Sequence, residues 1–489
     1  MERISPATHG MHYKHKESEY VEFKVEPLLP YPFSRHAPPL AVADVTGDAL
    51  DDFYVGASSD MPGALYVQHS SGMFKKQCLP ASIPCHETDV LFFDADNDGD
   101  KDIYNACGGN EYFPRMPNYQ DRLFVNDGTG QFTLATSALP DFATSTSCVE
   151  ATDYDLDGDL DLFVGGMIEP FRYPLPPDSY ILQNNGGRFT DITAKTCPEL
   201  KRFGLVKQAQ WVDVNQDKKT DLVIAGEYLP ITVFLQQPHG TLWNATTSLG
   251  LAGYVGWWQS VHTVDVDADG DMDIIAGNLG LNHKLKATEA KPLTLVANDF
   301  DKNASLDAIT ARYYASELYP IASRDRLLEQ VPSLKKKFLF HRDYAKTTLK
   351  QMLDAEFKKS YVREATEMRS GVFVNTNGRF TFVPFPSRAQ GFPIQSIKLH
   401  QDSDLCLAGG DKVADNMQGN FGTGGLILIR DFKNCDLSSI QNFLFLSMRK
   451  PIREASAIRQ HEHEIIMAAI RGDSLLLLVE PPNRYSKSK

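Results

Sequence analysis

The 489-residue sequence predicts an all-β fold: a β-propeller of seven blades, with eight as the alternative, and one helical insertion. Three observations predict it. A nine-residue aspartate-rich segment recurs six times, starting at 44, 94, 153, 213, 265 and 299. Short apolar or alternating runs stand on both sides of each copy. A further run that ends in a Gly/Asn turn follows most copies, as in "RLFVNDGTGQF", "YILQNNGGRF" and "GVFVNTNGRF". Short β-rich runs at intervals of this kind, each too small to bury both faces alone, stack radially as propeller blades.

The elements follow in order. Residues 1–30 read as an extended N-terminal strap, 31–480 as the propeller and 481–489 as a flexible tail. First strands are "LAVAD", "VLFFD", "VEATD", "QWVD" and "VHTVD"; second strands are "FYVGA", "IYNACGG", "LFVGG", "LVIAGE" and "IIAGN". The repeats start 50, 59, 60, 52 and 34 residues apart. The last gap is too short for an independent blade. The segment at 299 therefore reads as the outer half of blade five or as a sixth blade packed tightly behind it. Residues 371–411 and 453–480 supply the remaining strands, with a weak remnant of the repeat at 400–411. Residues 311–370 break the pattern and read as a helical insertion, with Tyr344, Leu349, Met352, Leu353 and Phe357 at helical spacing. Ser323 is its expected N-cap, Asp325 lies in the first turn and Pro332 ends that helix. The lysines at 335–337 read as a solvated face.

Acidic residues outnumber basic ones by 63 to 49, a net charge of −14. That balance excludes a basic nucleic-acid-binding face. No run approaches 18 apolar residues, so no membrane span is expected, and "MERISPATHGMHYKHKESEY" lacks the apolar core of a secretory signal. The seven cysteines form no CxxC pair, so a zinc or redox motif is not expected. Cys78 and Cys85 are close enough for a local disulfide; buried free thiols are the other reading.

The repeated segments carry the chemistry. Several carboxylates on one tight loop repel one another unless a cation sits among them. Side chains at positions 1, 3 and 5 converge, position 9 closes the cage, and the position-7 carbonyl adds an oxygen. Oxygen-only ligands with a turn glycine at position 6 fit calcium better than magnesium. Asp94, Asp96, Asp98 and Asp102, then Asp153, Asp155, Asp157 and Asp161, then Asp265, Asp267, Asp269 and Asp273 make the three complete sets, with Gly99, Gly158 and Gly270 at position 6. The other three are degenerate: Asp44, Thr46, Asp48 and Asp52 with Ala49; Asp213, Asn215, Asp217 and Asp221 with Lys218; Asp299, Asp301, Asn303 and Asp307 with Ala304. A saturated cage leaves no open position for chemistry, so the expected role of calcium, at several ions per chain, is structural.

These loops, followed by "LFVGG"-type strands, resemble the FG-GAP/VCBS repeats of the integrin α-subunit propeller. The blocks "VEFKVEPLLP", "GWWQSVHTVDVDADGDMDIIAGNLGLNHKLKA", "SRDRLLEQVPSLKKKF" and "SGVFVNTNGRFTFVPFP" are similar to bacterial FG-GAP/VCBS proteins related to the ASPIC/UnbV (cartilage acidic protein-like) group. The resemblance covers nearly the whole chain. It implies a calcium-binding propeller on an extracytoplasmic protein: secreted, periplasmic or at the cell surface. Relatives of the bacterial type are often longer, with a signal sequence and a second propeller, which implies that this chain is one module.

The segments that enter each first strand should lie on the face opposite the loops. They offer Arg35, His36, His86, Glu87, Lys207, Gln208, Trp257, Trp258 and Gln259, a mixed ring suited to a glycan or protein ligand. Core packing of at least one of the two tryptophans is the competing expectation. The leading function is a non-enzymatic binding or adhesion module. One alternative is a polysaccharide lyase or glycosidase, with His36 or His86 as base, Glu87 as acid and Arg35 or Lys207 holding a uronate. Another is a scaffold in an envelope complex. "RGD" at 471–473 reads as a turn, and the sequons at Asn244 and Asn303 matter only in a glycosylating compartment.

Overall fold

The computed structural model describes residues 1–80, 83–400, 404–410, 424–432, 443–448, 450–460 and 463–479. It consists of antiparallel sheets, each built around four strands. Blade one runs Leu40–Ala43, Asp52–Val55, Ala64–Gln68 and Phe74–Gln77. Blade two runs His86–Phe93, Asp102–Gly108, Arg122–Asn126 and Phe132–Leu134. Blade three runs Thr146–Thr152, Asp161–Gly166, Tyr180–Asn184 and Phe189–Asp191. Blade four runs Leu205–Val212, Asp221–Leu229, Thr232–Gln236 and Leu242–Asn244. Blade five pairs Ser260–Val264 and Asp273–Gly277 with Gly371–Asn375 and Phe380–Pro384. Blade six runs Ile394–His400, Asp404–Gly409, Gly424–Ile429 and Phe443–Met448. Blade seven joins Ile452–Gln460, His463–Ile470 and Leu476–Val479 to Glu2–Ile4 from the other end of the chain.

The first strands of these seven sheets adjoin in a closed ring, with blade seven against blade one. Second strands are the most buried; Asp221–Leu229 has no exposed residue. That explains their near-continuous apolar runs, since neighbouring blades cover both faces. Neighbouring first strands do not share a ladder. Side chains instead accept their outward N–H groups: Val149 N donates to Asp89 Oδ2 (3.0 Å), Val261 N to Gln208 Oε1 (2.9 Å), and Leu40 N to Glu454 Oε2 (3.0 Å). Polar first strands are therefore the glue between blades, because a buried backbone N–H must find an acceptor.

An eighth sheet stands outside the ring. Its strands are Leu293–Asn298, Asp307–Tyr314, Glu317–Pro320 and Tyr361–Ala365, inserted between the second and third strands of blade five. This corrects the reading of the 299 segment, which belongs to neither blade five nor a sixth blade of the ring. It also corrects the insertion, which is not purely helical: 311–320 and 361–365 contain strands. The helices Arg324–Gln330 and Leu349–Leu353 pack on the inserted sheet through Leu327, Leu328, Leu349 and Met352 in one cluster with Val296 and Ile309, which Tyr344 of the helix His341–Ala345 borders. Ser323 caps the first helix as expected, accepting from Arg326 N. Thr348 and Gln351 form a capping box on the last.

The strap is only partly a strap, since Glu2–Ile4 is a strand of blade seven. Beyond it, Met11, Tyr13 and His15 alternate inward, and Leu28–Phe33 is buried throughout. Glu22 holds its return: its carboxylate accepts from Phe33 N (2.6 Å), Ser34 N (2.9 Å) and Ser34 Oγ (2.8 Å). The "RGD" at 471–473 is a turn tied to this segment. Arg471 pairs with Glu17 (3.1 Å), and His15 N donates to the Asp473 carbonyl (2.9 Å). Residues 401–403 and 411 of the remnant, and all of 481–489, lie outside the described residues. Among the described residues no helix is long and apolar enough to cross a membrane.

The ring encloses a polar lumen lined by Asp89, Ser147, Gln208, Lys398 and Glu454, each from a first strand. Glu150 stands among these charges. Burial, then the neighbouring Asp89, pushes its carboxyl up to about 8, while Lys398 pulls the other way. The unfolded value is about 4.3, so the folded state holds the proton more tightly. Stability present below that value is lost as pH rises towards 8. Glu150→Gln should match the parent melting temperature at pH 4 and exceed it by a few degrees at pH 8.5, read by thermal unfolding across pH.

Candidate metal centres

Each aspartate-rich segment joins the first and second strands of its sheet, and the six share one hydrogen-bond plan. The position-1 carboxylate accepts the N–H of position 6: Gly99 N to Asp94 Oδ2 (3.0 Å), Gly270 N to Asp265 Oδ2 (3.0 Å), Ala304 N to Asp299 Oδ2 (2.9 Å). Position 5 accepts the N–H of position 7: Asp159 N to Asp157 Oδ1 (2.9 Å), Asp271 N to Asp269 Oδ1 (2.8 Å). These contacts fold the loop so that the remaining oxygens turn inward. Position 6 is left-handed in all six, with φ of 96° at Gly99 and 94° at Gly270. Ala49, Lys218 and Ala304 adopt the same left-handed turn, at φ of 65°, 67° and 70°. The degenerate loops thus keep the geometry, at the strain a β-carbon meets there.

Position 9 does more than close a cage. Asp52, Asp102, Asp161, Asp221, Asp273 and Asp307 are all buried. One oxygen of each accepts the N–H of position 2, as in Ala95 N to Asp102 Oδ2 (2.7 Å). In the five blades the other takes the N–H that ends the third strand, as in Asn126 N to Asp102 Oδ1 (2.8 Å). In the inserted sheet Gln330 fills that second role on Asp307 (2.9 Å). Burial pushes each of these carboxyls up to about 6.

Four loops bring three carboxylates within 4.8 Å of one another: Asp94, Asp96 and Asp102; Asp153, Asp155 and Asp157; Asp265, Asp267 and Asp269; Asp299, Asp301 and Asp307. Asp94 Oδ1, Asp96 Oδ1, Asp265 Oδ1 and Asp301 Oδ1 are shut off from solvent and accept no hydrogen bond. Carboxylate oxygens buried without a donor are costly unless a cation meets them. Beside them, Asp100 is pushed up to about 6, by desolvation first and then by Asp98, Asp96 and Asp94. The donor set is all oxygen, which fits calcium. The loop at 299, ranked with the degenerate ones, clusters as closely as the complete three. Thr46 and Asn215 leave the loops at 44 and 213 outside this group. In the latter it is Lys219, not Lys218, that reaches a carboxylate, at 3.1 Å from Asp217 Oδ2.

Sequence reasoning missed the links between loops. An amide ends most third strands and reaches the position-2 carbonyl of the preceding blade's loop: Asn126 to Val45 O, Asn184 to Ala95 O and Gln236 to Tyr154 O, all 2.8 Å. Gln216 extends from one loop to Asp271 Oδ1 of the next (2.8 Å), and Asn97 reaches Asp159 in the same way. The available signal was an Asn or Gln before each turn, in "VQHSSG", "VNDGTG", "QNNGG" and "QQPHG". Asn184→Ala should cost about 1–3 kcal/mol, as it strips a donor from the Ala95 and Leu160 carbonyls. Denaturant unfolding measures it.

The expected ligand ring divides: His36, Lys207, Gln208 and Gln259 line the lumen beside Asp89 and Glu454, and the others are drawn into interior contacts. Trp257 and Trp258 are fully buried: Trp257 packs on Tyr31 of the strap and on Tyr228, and Trp258 packs on Phe373 and Phe382. A short pairing of Gly256–Trp257 with the second strand of blade four fixes this placement. Gln259 is buried and donates to the Trp257 carbonyl (2.8 Å). Glu87 joins blades one and two, accepting from Ala57 N (2.7 Å), Tyr54 Oη (3.0 Å) and Asn105 Nδ2 (2.7 Å). His86 is buried, and desolvation, then Arg453, brings its ring down to about 3. His36 lies 5.8 Å from it, ring to ring. Lys207 pairs with Glu227 (2.9 Å) and stands over the Phe33 ring. Arg35 donates to the Tyr20 carbonyl (3.2 Å). Tyr31 and Phe33 of the strap hold Trp257 and Lys207, and the blades themselves hold Trp258, Gln259 and Glu87.

An open cleft of about 540 Å³ lies instead over blades two and three. Arg115, Arg202, Glu169 and Asp178 line it, with Phe142 and Tyr180 stacked at 4.6 Å.

The family of FG-GAP-like repeats matches residues 108–164 and 213–276, so the chain carries FG-GAP-like repeats. None of the curated proteins matches it. Among solved structures it is similar to BBS1N in complex with ARL6DN (TM-score 0.41, 9% identity, 93% of this chain and 95% of that one). It is also similar to Raptor from Chaetomium thermophilum (TM-score 0.40, 10% identity, 95% of this chain and 31% of that one).

Proposed function

We propose that this chain is a calcium-stabilised β-propeller that acts as an extracytoplasmic binding module for a glycan or protein. The observation that carries the calcium reading is the set of donor-less carboxylate oxygens turned into the loops at 94, 265 and 299. Calcium, when bound, supplies the charge that lets these carboxylates converge. The chain's own residues hold the cage open for it: positions 6 and 7 fix two carboxylates, and the third-strand backbone holds the position-9 carboxylate of each blade. Placement outside the cytoplasm is supported by the FG-GAP-like repeats, which are typical of extracellular proteins. Such modules bind calcium with dissociation constants of about 10⁻⁴–10⁻³ M.

The ligand meets the cleft over blades two and three, with the lumen lined by His36, Lys207, Gln208 and Gln259 as the second candidate. A stacked Phe142–Tyr180 pair, in a wall that carries Asp141, Glu169, Asp178 and Asp191 as well as Arg115 and Arg202, suits a sugar face or a mixed-charge peptide. A second propeller or an envelope complex would be a larger partner of the same module. For the lyase or glycosidase alternative, His86 and Glu87 are buried between blades, while His36 and Lys207 line the lumen.

Equilibrium dialysis with millimolar calcium, followed by metal analysis, tests the calcium reading. About four ions per chain are expected from the four clusters, and Asp267→Ala should lose one. No bound calcium would overturn it. Glycan-array and peptide-array binding, repeated with Arg202→Ala, tests the cleft; binding unchanged by that substitution would remove it.

A further inference from the structure

We infer that Cys85 and Cys107 form a disulfide within blade two. The two sulfurs lie 2.7 Å apart. Cys85 directly precedes the first strand of the blade, and Cys107 is near the end of the second, paired with Glu87. The residues thus sit at one end of an antiparallel strand pair, 22 positions apart. A small side-chain movement brings the sulfurs to the roughly 2.0 Å of a disulfide without moving the sheet. Cys78, the local partner suggested by sequence spacing, is exposed and Cys85 is buried.

The surroundings say when the bond forms. Both sulfurs are sealed in the fold, at 1% and 0% exposure. Burial, then the Cys85 sulfur, raises the Cys107 thiol well above its ordinary value. A buried thiol is a poor nucleophile because the thiolate is the reacting form. The exchange therefore belongs to folding, before the blade closes. Arg122 donates to the Ile83 carbonyl beside Cys85, and its charge favours thiolate on Cys107. The oxidant is a small-molecule disulfide, such as glutathione disulfide. One cysteine thiolate attacks a glutathione sulfur and expels a glutathione thiolate. The second cysteine thiolate then attacks the protein-side sulfur of the mixed disulfide and expels the other. The protein loses two protons and two electrons, which leave as two glutathione thiols. Once formed, the bond is closed to reductants by the same burial.

The test is oxidative refolding of the full chain in reduced and oxidised glutathione, then alkylation in denaturant without reductant and peptide mapping. Five of the seven cysteines should be alkylated, with one peptide pair joined through Cys85 and Cys107. The oxidised chain should melt several degrees above the same chain refolded with dithiothreitol, and Cys107→Ser should remove that difference. Seven alkylated cysteines, or a bond from Cys85 to Cys78, would overturn the inference. The map on the parent chain decides the matter even if Cys107→Ser does not fold.

Discussion

Chelation of calcium with EDTA should lower the melting temperature by about 10 °C, and added calcium, but not magnesium, should restore it. The size follows from mass action. At about 10 mM free calcium a site with a dissociation constant of about 10⁻⁴ M is at one hundred times that constant and gains about 2.7 kcal/mol, so four such sites give about 11 kcal/mol. Unfolding entropy of about 2.1 cal/mol/K per residue makes roughly 1 kcal/mol equal to one degree in a chain of this length. The ions act on the ring as well as on single turns. Each loop's position-2 carbonyl is held by the next blade's third-strand amide at three successive junctions, from Val45 to Tyr154. Loosening one loop therefore loosens the blade after it. Calorimetry with and without chelator reads the effect. A shift under about 2 °C, which is less than one site's worth, would mean that the carboxylates are satisfied without metal.

Phe33→Ala should cost about 3–5 kcal/mol, the range for removing a buried phenylalanine. Phe33 is fully buried, with its ring 4.7 Å from Tyr31 and 5.5 Å from Tyr173. The Lys207 amine lies 4.9 Å above it, so the substitution also weakens the setting of the Lys207–Glu227 pair. Urea unfolding measures the loss. Limited proteolysis should cut the variant first between 11 and 36, where the parent is protected. Equal proteolysis of both chains would show that the strap does not depend on this anchor.

The loops were legible because their chemistry is local. Aspartate at positions 1, 3, 5 and 9 with glycine at 6 has few other uses, and the structure converges the carboxylates of all three complete sets. Asp299 and Asp301 were undervalued because Asn303 and Ala304 break the pattern, yet the carboxylate of Asp307 completes their cluster. The inserted sheet was hidden by the 34-residue spacing, since a repeat carries no mark of whether it stands inside or outside the ring. Trp257, Trp258, His86 and Glu87 were read as an open face because polar and aromatic residues precede apolar strands. What covers them is partly the strap, through Tyr31 on Trp257, and partly neighbouring blades, through Phe373 and Phe382 on Trp258 and Tyr54 and Asn105 on Glu87; the strap's inward residues Met11, Tyr13 and His15 alternate within a polar stretch. That alternation is the signal the sequence held, and three residues were too few to weigh.

Blade seven has a consequence for how the molecule is made. Among the described residues Glu2–Ile4 pairs only with Leu477–Val479. On a ribosome this strand has no sheet to join until residues 452–479 have followed it. Blades one to five can settle in turn as they appear, each against its predecessor. Residues 2–4, made before the other strands of all seven blades, are among the last of the propeller to find their place, and the ring stays open until they do. Contacts across so many residues close slowly, so nascent chains spend their longest pause as an open crescent with the opening segment still unpaired.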